Sequence, residues 1–488
     1  MAKKNTVTSM LELWKHEQYA VEMAKRKKHL ALFFDAGTGK TATMIRILRD
    51  EYNTSKRIHN TLIFAPLSVV NQWKTEFLRF SKVADGRIYA LTGSGRSKTD
   101  ILTEVNRMSL GNIVITNYEA VQNKKVYEQL LRFNPQILVA DESQRLKDSK
   151  GVRFKLIFPI AAEAKRRFIL TGTPITNSLM DIFGQFKIMD YNIFGANYFY
   201  FQTKYFHDKN AGMPKHCHFP DWQPRPEAAG LIANALSQHA VQARKEECID
   251  LPPLHRIPVH VELGADQRKA YDMMKKEYVA EVSGKVITAE FAMTKTLRMQ
   301  QILAGFIPYE GEEKQETQWC KEIPRLKALE DLLEAIGGQK TIVWTNFKPT
   351  YKRIGDLCSS LDLLPEFITG DQSASEKQQA LDNFCRGTSN VLIANPAAGG
   401  AGINITEAKY AIYYTRNYSL EQFLQSEARN YRAGSTMHSS VTHYHLVATG
   451  TLDEVIADAL LAKQSVADAV LRWTNGDRSH MFAGKEKL

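Results

Sequence analysis

The sequence predicts an α/β protein built from two tandem lobes, each a doubly wound parallel sheet, with helical insertions between them. Short β-rich runs recur along the 488 residues and are separated by stretches long enough for helices. The runs are continuously apolar rather than alternating, which is typical of strands that helices cover on both faces. Two doubly wound lobes are the simplest architecture that accommodates this order.

Each half of the chain has strand-like runs of its own. Those of the first half are His29–Phe34, Thr61–Ala65, Asn112–Thr116, Gln136–Ala140 and Arg167–Thr171, and those of the second half are Thr341–Thr345, Glu366–Thr369, Asn390–Ala394, Tyr410–Tyr414 and Val441–Val447. Each half therefore has enough strands to form a separate sheet.

The composition changes between the two sets of strands. Tyrosine and phenylalanine crowd the segment 191–206, and proline-rich stretches follow it. Such rings can stack on nucleic-acid bases, but a helical protrusion that uses them as its own core is the favoured interpretation. We predict a first lobe over residues 1–255, with the protrusion at about 178–243, and a second lobe over 256–488, with a helical insertion at about 264–320.

Composition and charge narrow the class of protein. No apolar run approaches the roughly 18 residues that span a bilayer, and the N-terminal segment lacks the apolar stretch of a secretory signal. The five widely spaced cysteines are typical of reduced thiols. We therefore expect a cytoplasmic monomer without membrane association. The formal charge of +11 favours a nucleic-acid partner, because each neutralised phosphate releases counterions.

A glycine-rich loop follows the first predicted strand. The residues Asp35–Thr41 read DAGTGKT and lead into a helix-like segment. A loop of this kind presents backbone N–H groups and a helix N-terminus to phosphates. Lys40 would reach the β- and γ-phosphates of ATP, and the Thr41 hydroxyl would bind magnesium. Phe34 stands where the strict phosphate-loop pattern has its first glycine.

A pair of acidic residues ends another predicted strand. Asp141 and Glu142 follow the run QILVA, about 100 residues after Lys40. Carboxylates at the C-terminal end of a strand in such a sheet face the ligand crevice. Asp141 fits the role of holding magnesium, and Glu142 fits that of activating the attacking water in phosphoryl transfer.

These two motifs belong to an ordered series that resembles the Swi/Snf-type members of the superfamily-two helicases. The short loop is similar to that of compact phage or bacterial members, and the resemblance covers about residues 14–460. The motifs that carry it are His16–Gln18, Asp35–Thr41, Ala65–Trp73, Ile115–Glu119, Asp141–Lys147, Leu170–Asn177, Val343–Phe347, Ala398–Asn404 and Gln425–Arg432.

The resemblance implies two RecA-like lobes that use ATP and magnesium to move on DNA. It implies catalytic roles for Lys40, Asp141, Glu142, Gln144, Gln425, Arg429 and Arg432. It implies ATP contacts by Gln18, which would read adenine, and by Asp35, Ala36, Gly37, Thr38, Gly39, Lys40, Thr41 and Gly402. It implies DNA contacts by Ser68, Thr116, Asn177 and Asn346. Gln144 would bridge ATP to the segment 170–177, and the two arginines would reach the γ-phosphate from the second lobe.

The chain departs from the family pattern at three positions. Ala397 stands where relatives often carry Lys or Arg, and Tyr431 replaces the usual His between the two arginines. Gln144 stands in place of a His, as it does in bacterial relatives. Three functions remain open on this basis. The favoured one is an ATP-driven translocase on double-stranded DNA that remodels DNA or bound proteins. The others are a strand-separating or branch-migrating helicase and an ATP-dependent nucleic-acid clamp without processive movement.

Overall fold

A computed structural model describes residues 13–108, 111–214, 220–282, 289–310, 315–399 and 403–475. The predicted ATP contact Gly402 and two neighbours in its motif, Gly400 and Ala401, lie outside these ranges. Among the described residues, 13–212, 220–250 and 464–475 form one compact unit, and 213–214 with 251–463 form another. No described helix is long and apolar enough to cross a membrane.

The first unit has a parallel sheet at its centre. Its spatial order is β3-β4-β2-β5-β6-β1-β9 over the described strands, and every pairing is parallel. The strands are β1 (His29–Phe34), β2 (Thr61–Ala65), β3 (Ile88–Leu91), β4 (Ile113–Asn117), β5 (Ile137–Asp141), β6 (Arg166–Leu170), β7 (Phe206–Asp208), β8 (Trp222–Pro224) and β9 (Ala240–Ala243). The helices are α1 (Lys15–Arg26), α2 (Lys40–Ser55), α3 (Val70–Phe80), α4 (Gly95–Arg107), α5 (Lys124–Phe133), α6 (Val152–Glu163), α7 (Asp181–Phe194), α8 (Tyr198–Tyr205), α9 (Ala228–His239) and α10 (Lys245–Cys248).

Helices cover both faces of this sheet, as the continuous apolar runs predict. In β1, Ala31 and Phe33 enter a core that α4 to α9 complete. Leu30, Leu32 and Phe34 enter the opposite core, which α1, α2 and α3 complete. Every residue of the strand is consequently buried, and the sequence is apolar from Leu30 to Phe34.

The second unit repeats this arrangement. Its described parallel strands have the order β10-β17-β16-β13-β15-β14, and β11 and β12 form an antiparallel hairpin. The strands are β10 (Leu254–Val261), β11 (Phe306–Glu310), β12 (Gln315–Trp319), β13 (Thr341–Trp344), β14 (Pro365–Ile368), β15 (Val391–Ala394), β16 (Tyr410–Tyr413) and β17 (Val441–Ala448). The helices are α11 (Ala265–Val282), α12 (Ala289–Leu303), α13 (Pro324–Ile336), α14 (Lys348–Ser360), α15 (Ala374–Arg386), α16 (Pro396–Gly399), α17 (Leu420–Asn430) and α18 (Leu452–Asn475). The predicted fold class of two doubly wound parallel-sheet lobes is confirmed.

The unit boundary differs from the predicted one. The prediction divided the chain at 255/256 and assigned everything after it to the second lobe, whereas residues 464–475 group with the first unit. Ala467, Val470 and Leu471 lie on one side of the last helix and enter the core of the first unit. Residues three and four apart share a helix face, so burial of this stripe holds this part of the helix in the first unit.

The region after β6 contains helices α7, α8 and α9 together with the antiparallel hairpin of β7 and β8. Its aromatic residues pack on one another, with ring centroids 5.0 Å apart for Phe183 and Phe201 and 6.0 Å apart for Phe194 and Tyr205. Most of this cluster therefore serves as a core. Phe199, by contrast, is 65% exposed.

Candidate nucleotide site and nucleic-acid contacts

The glycine-rich loop joins the C-terminal end of β1 to the N-terminus of α2. Gly37 and Gly39 have φ of 91° and 88°, a left-handed conformation that side chains with a Cβ rarely adopt. Gly39 also has no room for a side chain, because an added Cβ would lie 2.0 Å from Glu17 Oε1. Inside the loop the Thr38 hydroxyl donates to the Asp35 carbonyl over 2.9 Å. The loop thus presents backbone and the start of a 16-residue helix at this edge.

Helix α1 holds the loop through two residues to which no role had been assigned from the sequence. His16 Nε2 lies 2.8 Å from the Thr38 carbonyl oxygen. Glu17 accepts a hydrogen bond from Thr43 Oγ1 at 3.4 Å and from the backbone of Trp14 at 2.8 Å. Both residues are buried. From the sequence, the motif His16–Gln18 predicted a role only for its glutamine. The contacts by which His16 and Glu17 shape the loop were not predicted.

The predicted adenine-reading residue, Gln18, is half-buried on the same helix. Its amide donates to the Leu13 carbonyl over 3.3 Å. This bond leaves the side chain at the N-terminal end of α1, next to the helix turn that contacts the loop.

Asp35 anchors the start of the loop to the neighbouring strand. Its backbone N–H donates to the Ala243 carbonyl at 3.0 Å, and its Oδ2 accepts from the backbone of Lys245, also at 3.0 Å. Burial raises the pKa of the Asp35 carboxyl to about 6. The carboxyl is engaged by backbone within the protein, so Asp35 fixes the position of the loop.

The acidic pair lies at the end of β5, where the chain turns sharply. Glu142 has a φ of 52°, a strained conformation for a residue with a side chain. The turn sends the two carboxylates to different partners. Asp141 Oδ2 accepts from the indole of Trp73 at 2.8 Å, and its carbonyl accepts from the hydroxyl of Tyr118 at 2.6 Å.

Glu142 faces the phosphate loop. Its Oε1 lies 3.6 Å from Lys40 Nζ, and its Oε2 accepts from Gln144 Nε2 at 2.8 Å. Lys40, Glu142 and Gln144, which were all predicted to be catalytic, are therefore in contact beside Asp141. About 100 residues of sequence separate Lys40 from the other two.

Magnesium fits the oxygen donors available here. Burial and the adjacent Glu142 raise the pKa of Asp141 to about 6, while Lys40 opposes that shift. A nearby cation stabilises the charged form of a buried carboxyl group that lies beside another carboxylate, and magnesium prefers carboxylate and hydroxyl oxygens. Asp141 and the hydroxyl of Thr41, the second residue of α2, are the residues that would hold it.

The segment 170–177 is joined to the acidic box through α7. Ser143 Oγ donates to Gln185 Oε1 at 2.8 Å, and Gln185 Nε2 donates to the Pro174 carbonyl at 2.7 Å. All three residues are buried. A shift of the acidic box would therefore be transmitted directly to this segment.

A second connection runs beside the first. Lys147 Nζ donates to Thr176 Oγ1 at 2.7 Å and lies 3.6 Å from Asp181 Oδ2. The same carboxylate oxygen accepts from the Thr176 hydroxyl at 2.8 Å and from the backbone of Asn177 at 2.7 Å. This network holds the Asn177 side chain at the surface, where it is exposed.

The four predicted DNA contacts differ in accessibility. Ser68 is exposed in the short 3-10 turn after β2, as Asn177 is after β6, and Asn346 after β13 is half-buried. Thr116 differs from the prediction, because it is fully buried within β4. A side chain covered on both sides by the sheet and its helices is withheld from a nucleic-acid backbone.

In the second unit the predicted catalytic residues lie on α17 and just after it. Arg429 is buried, and its Nη1 donates to the Ile403 carbonyl at 3.0 Å. Arg432 is half-buried, and burial lowers the pKa of its guanidinium. Gln425 Nε2 lies 3.4 Å from Glu421 Oε1. These side chains are brought to one region of this unit.

An ion pair between the buried Glu427 and the exposed Arg256 supports that helix. Glu427 accepts from Arg256 Nε at 2.7 Å and from Nη2 at 3.1 Å, and it lies 3.4 Å from His443 Nδ1. These partners hold the pKa of Glu427 well below its ordinary value despite its burial. Sequence spacing drew attention to Gln425 and Arg429 on this helix and missed the glutamate between them.

Comparison with known proteins agrees with this geometry. The family model described as SNF2-related domain matches residues 4–306, more than half of the chain, and that of the helicase conserved C-terminal domain matches 324–434. Protein p41 of Acyrthosiphon pisum secondary endosymbiont phage 1 is 28% identical over 451 residues, covering 89% of this chain and 92% of that protein.

Other similar proteins are longer. The CHD3-type chromatin-remodeling factor CHR7 of Arabidopsis thaliana is 24% identical over 95% of this chain and 36% of its own length. Several more relatives are spanned over 32% to 62% of their length. The SWI2/SNF2 ATPase core of Sulfolobus solfataricus, solved in complex with double-stranded DNA, has a TM-score of 0.42 at 23% identity and is matched over 99% of this chain and 98% of that one. The family model and the ordered motifs place the chain in the SNF2-related domain family of helicase-like ATPases.

Proposed function

We propose that the protein couples ATP hydrolysis to translocation on double-stranded DNA. The observation that carries the proposal is the contact of Lys40, Glu142 and Gln144 at the mouth of a phosphate-binding loop. A lysine, a strained glutamate and a positioned amide at one sheet edge are the parts that phosphoryl transfer to water requires.

Each residue has a chemical task in this proposal. Lys40 neutralises Glu142 before ATP binds and moves to the β- and γ-phosphates when they enter the loop. Glu142 is then free to take the proton of the attacking water, while Gln144 keeps its carboxylate oriented. Magnesium, held by Thr41 and Asp141, would neutralise the charge that develops on the phosphates.

The link to DNA runs through segment 170–177. Because Ser143 is joined to Gln185 and Lys147 to Thr176, a change at the nucleotide is carried to the exposed Asn177. We propose Asn177, Ser68 and Asn346 as contacts to the phosphate backbone. We propose that Arg429 and Arg432 complete the nucleotide site from the second unit. Bound nucleotide and bound DNA would then both favour the closed form of that site.

Further observations support DNA as the polymer along which the protein would move. The second family model is that of a helicase domain, and CHR7 is named as a chromatin-remodeling factor. The formal charge of +11 is suited to a polyanion. We propose that the protein acts as a monomer.

Measurement of ATP turnover with different nucleic acids tests this function. Duplex DNA should stimulate turnover more than single-stranded DNA or RNA, and the stimulation should fall as salt rises from about 50 to 200 mM. The matched control is Lys40→Ala, which should turn over no ATP on any nucleic acid. Stimulation by RNA alone, or unchanged turnover by Lys40→Ala, would refute the proposal.

A further inference from the structure

A cavity of about 420 Å³ lies in the first unit, at the edge of the sheet opposite the phosphate loop. Thr61, Ile113 and Ile137, at the starts of β2, β4 and β5, line it. Because all these strands are parallel, their other ends form the edge that carries the nucleotide site. The volume falls within the roughly 300–1,000 Å³ of small-molecule sites.

The walls of the cavity are mainly apolar. Ile45 and Leu48 reach it from the middle of α2, and Phe77 reaches it from the last turn of α3. Ile58 and Val83, on the segments that follow these helices, complete the walls and are half-buried. A hydrocarbon or aromatic body placed here would be removed from water on several sides.

Two arginines in the lining are held by neutral oxygens. Arg49 Nη1 donates to the Phe80 carbonyl at 2.9 Å, and Arg87 Nη1 lies 3.5 Å from Asn112 Oδ1. Each guanidinium has further N–H groups to offer to a ligand.

Two more cations stand at the mouth. Arg57 and Lys82 line the cavity, are exposed, and form no ion pair with a carboxylate in the described part of the chain. The lining also contains Glu51, but this carboxylate is already paired with Arg166. The mouth therefore carries an excess of positive charge above an apolar interior.

We propose that this cavity binds an amphipathic anion, a molecule with an apolar body and one carboxylate, sulfonate or phosphate head. The body lies against Leu48, Phe77 and Val83, and the head meets Arg57 and Lys82. None of the residues predicted to contact ATP lines this cavity. The ligand sits between the C-terminal halves of α2 and α3, whose N-terminal halves carry Lys40 and Trp73.

Titration of the full chain with the fluorescent probe 8-anilinonaphthalene-1-sulfonate tests the site. Probe binding should saturate at one equivalent. Decanoate should displace the probe, whereas decanol, which has the same apolar body without the charge, should displace it far less. A non-hydrolysable ATP analogue should leave the probe bound.

Variants locate the site. The double variant Arg57→Glu/Lys82→Glu should weaken probe affinity at least about tenfold, as expected for the loss of two partly solvated ion pairs. Val83→Trp, which fills the cavity without changing charge, should do the same. Lys125→Glu/Arg132→Glu, on exposed positions of α5, makes the same charge change elsewhere and should leave affinity unaltered.

Three results would overturn the proposal: equal affinity in the double variant and the α5 control, equal displacement by decanol and decanoate, or displacement by the ATP analogue. Circular dichroism of each variant distinguishes a lost site from a lost fold. If Val83→Trp fails to fold, the charge variant decides the question.

Discussion

Trp73 and Asp141 are joined by a buried hydrogen bond of 2.8 Å between the indole Nε1 and Oδ2, although 68 residues separate them. The tryptophan ends the motif Ala65–Trp73, and the aspartate begins the acidic box. One bond thus connects α3, which follows the proposed DNA contact Ser68, to the residue proposed to hold magnesium.

Trp73→Phe should reduce both stability and turnover. Phenylalanine keeps an aromatic ring but leaves Asp141 Oδ2 without its donor, which costs about 1–3 kcal/mol for a buried acceptor. Urea unfolding measures the first effect, and ATP turnover at limiting magnesium measures the second. The control Trp222→Phe, at a half-buried position in β8, should change neither by a comparable amount. A Trp73→Phe enzyme with wild-type magnesium dependence would show that the bond serves packing alone.

Glu142→Gln should retain ATP and stop its hydrolysis. The amide is nearly the same size and accepts the same strained backbone, but it takes no proton from water. The variant is expected to stay on duplex DNA in an ATP-dependent manner, which fluorescence anisotropy of labelled DNA measures. Hydrolysis near the wild-type rate would assign Glu142 a structural role.

Asp35→Asn tests whether this residue anchors the loop. An asparagine oxygen can still accept from the Lys245 backbone, so the loop should hold and turnover should persist. The folded-state pKa of Asp35, about 6, lies above the unfolded value near 3.9, so the protonated form favours folding and this contribution is lost as pH rises from about 4 to 6. The variant should therefore gain about 1–2 kcal/mol relative to the wild type between pH 4 and pH 7. Urea unfolding at both pH values measures this gain, and a difference independent of pH would contradict the assignment.

Arg432→Ala should lower kcat and kcat/KM together, because the proposed contact forms only in the transition state. Nucleotide and DNA binding should change much less, since Lys40 and the loop hold the ground state. Arg386→Ala, at a position where the side chain is 85% exposed, is the matched control. A rise in KM with unchanged kcat would mean that Arg432 binds the ground state instead.

The strands that stood out most clearly in the sequence are those with a long continuous apolar run. β1 and β2 are buried at every residue, so their apolar runs stand out. β10 was missed because it is a largely exposed edge strand that contains Pro258, which resembles a loop in sequence. β9 was missed because the short run Ala240–Ala243 has only one branched apolar residue, although all four residues are buried.

The sequence predicted individual candidate residues of the site but not the hydrogen bonds that join them to other segments. Spacing along the chain identified Lys40, Asp141 and Glu142 because their motifs are local. The partners Trp73 and Glu17 were not assigned roles, since their contacts depend on how distant segments meet in the fold. Burial of Thr116 likewise follows from the helices packed over β4, which its own motif does not encode.

Displacement of a third strand from a DNA triplex tests the central claim most directly. A motor that translocates on duplex DNA should release the third strand in an ATP-dependent reaction, without separating the duplex strands of a matched fork. Glu142→Gln should release none. Failure of the wild type to release the strand, while duplex DNA stimulates its ATP turnover, would contradict translocation and favour a clamp. Efficient fork unwinding would instead favour a strand-separating helicase.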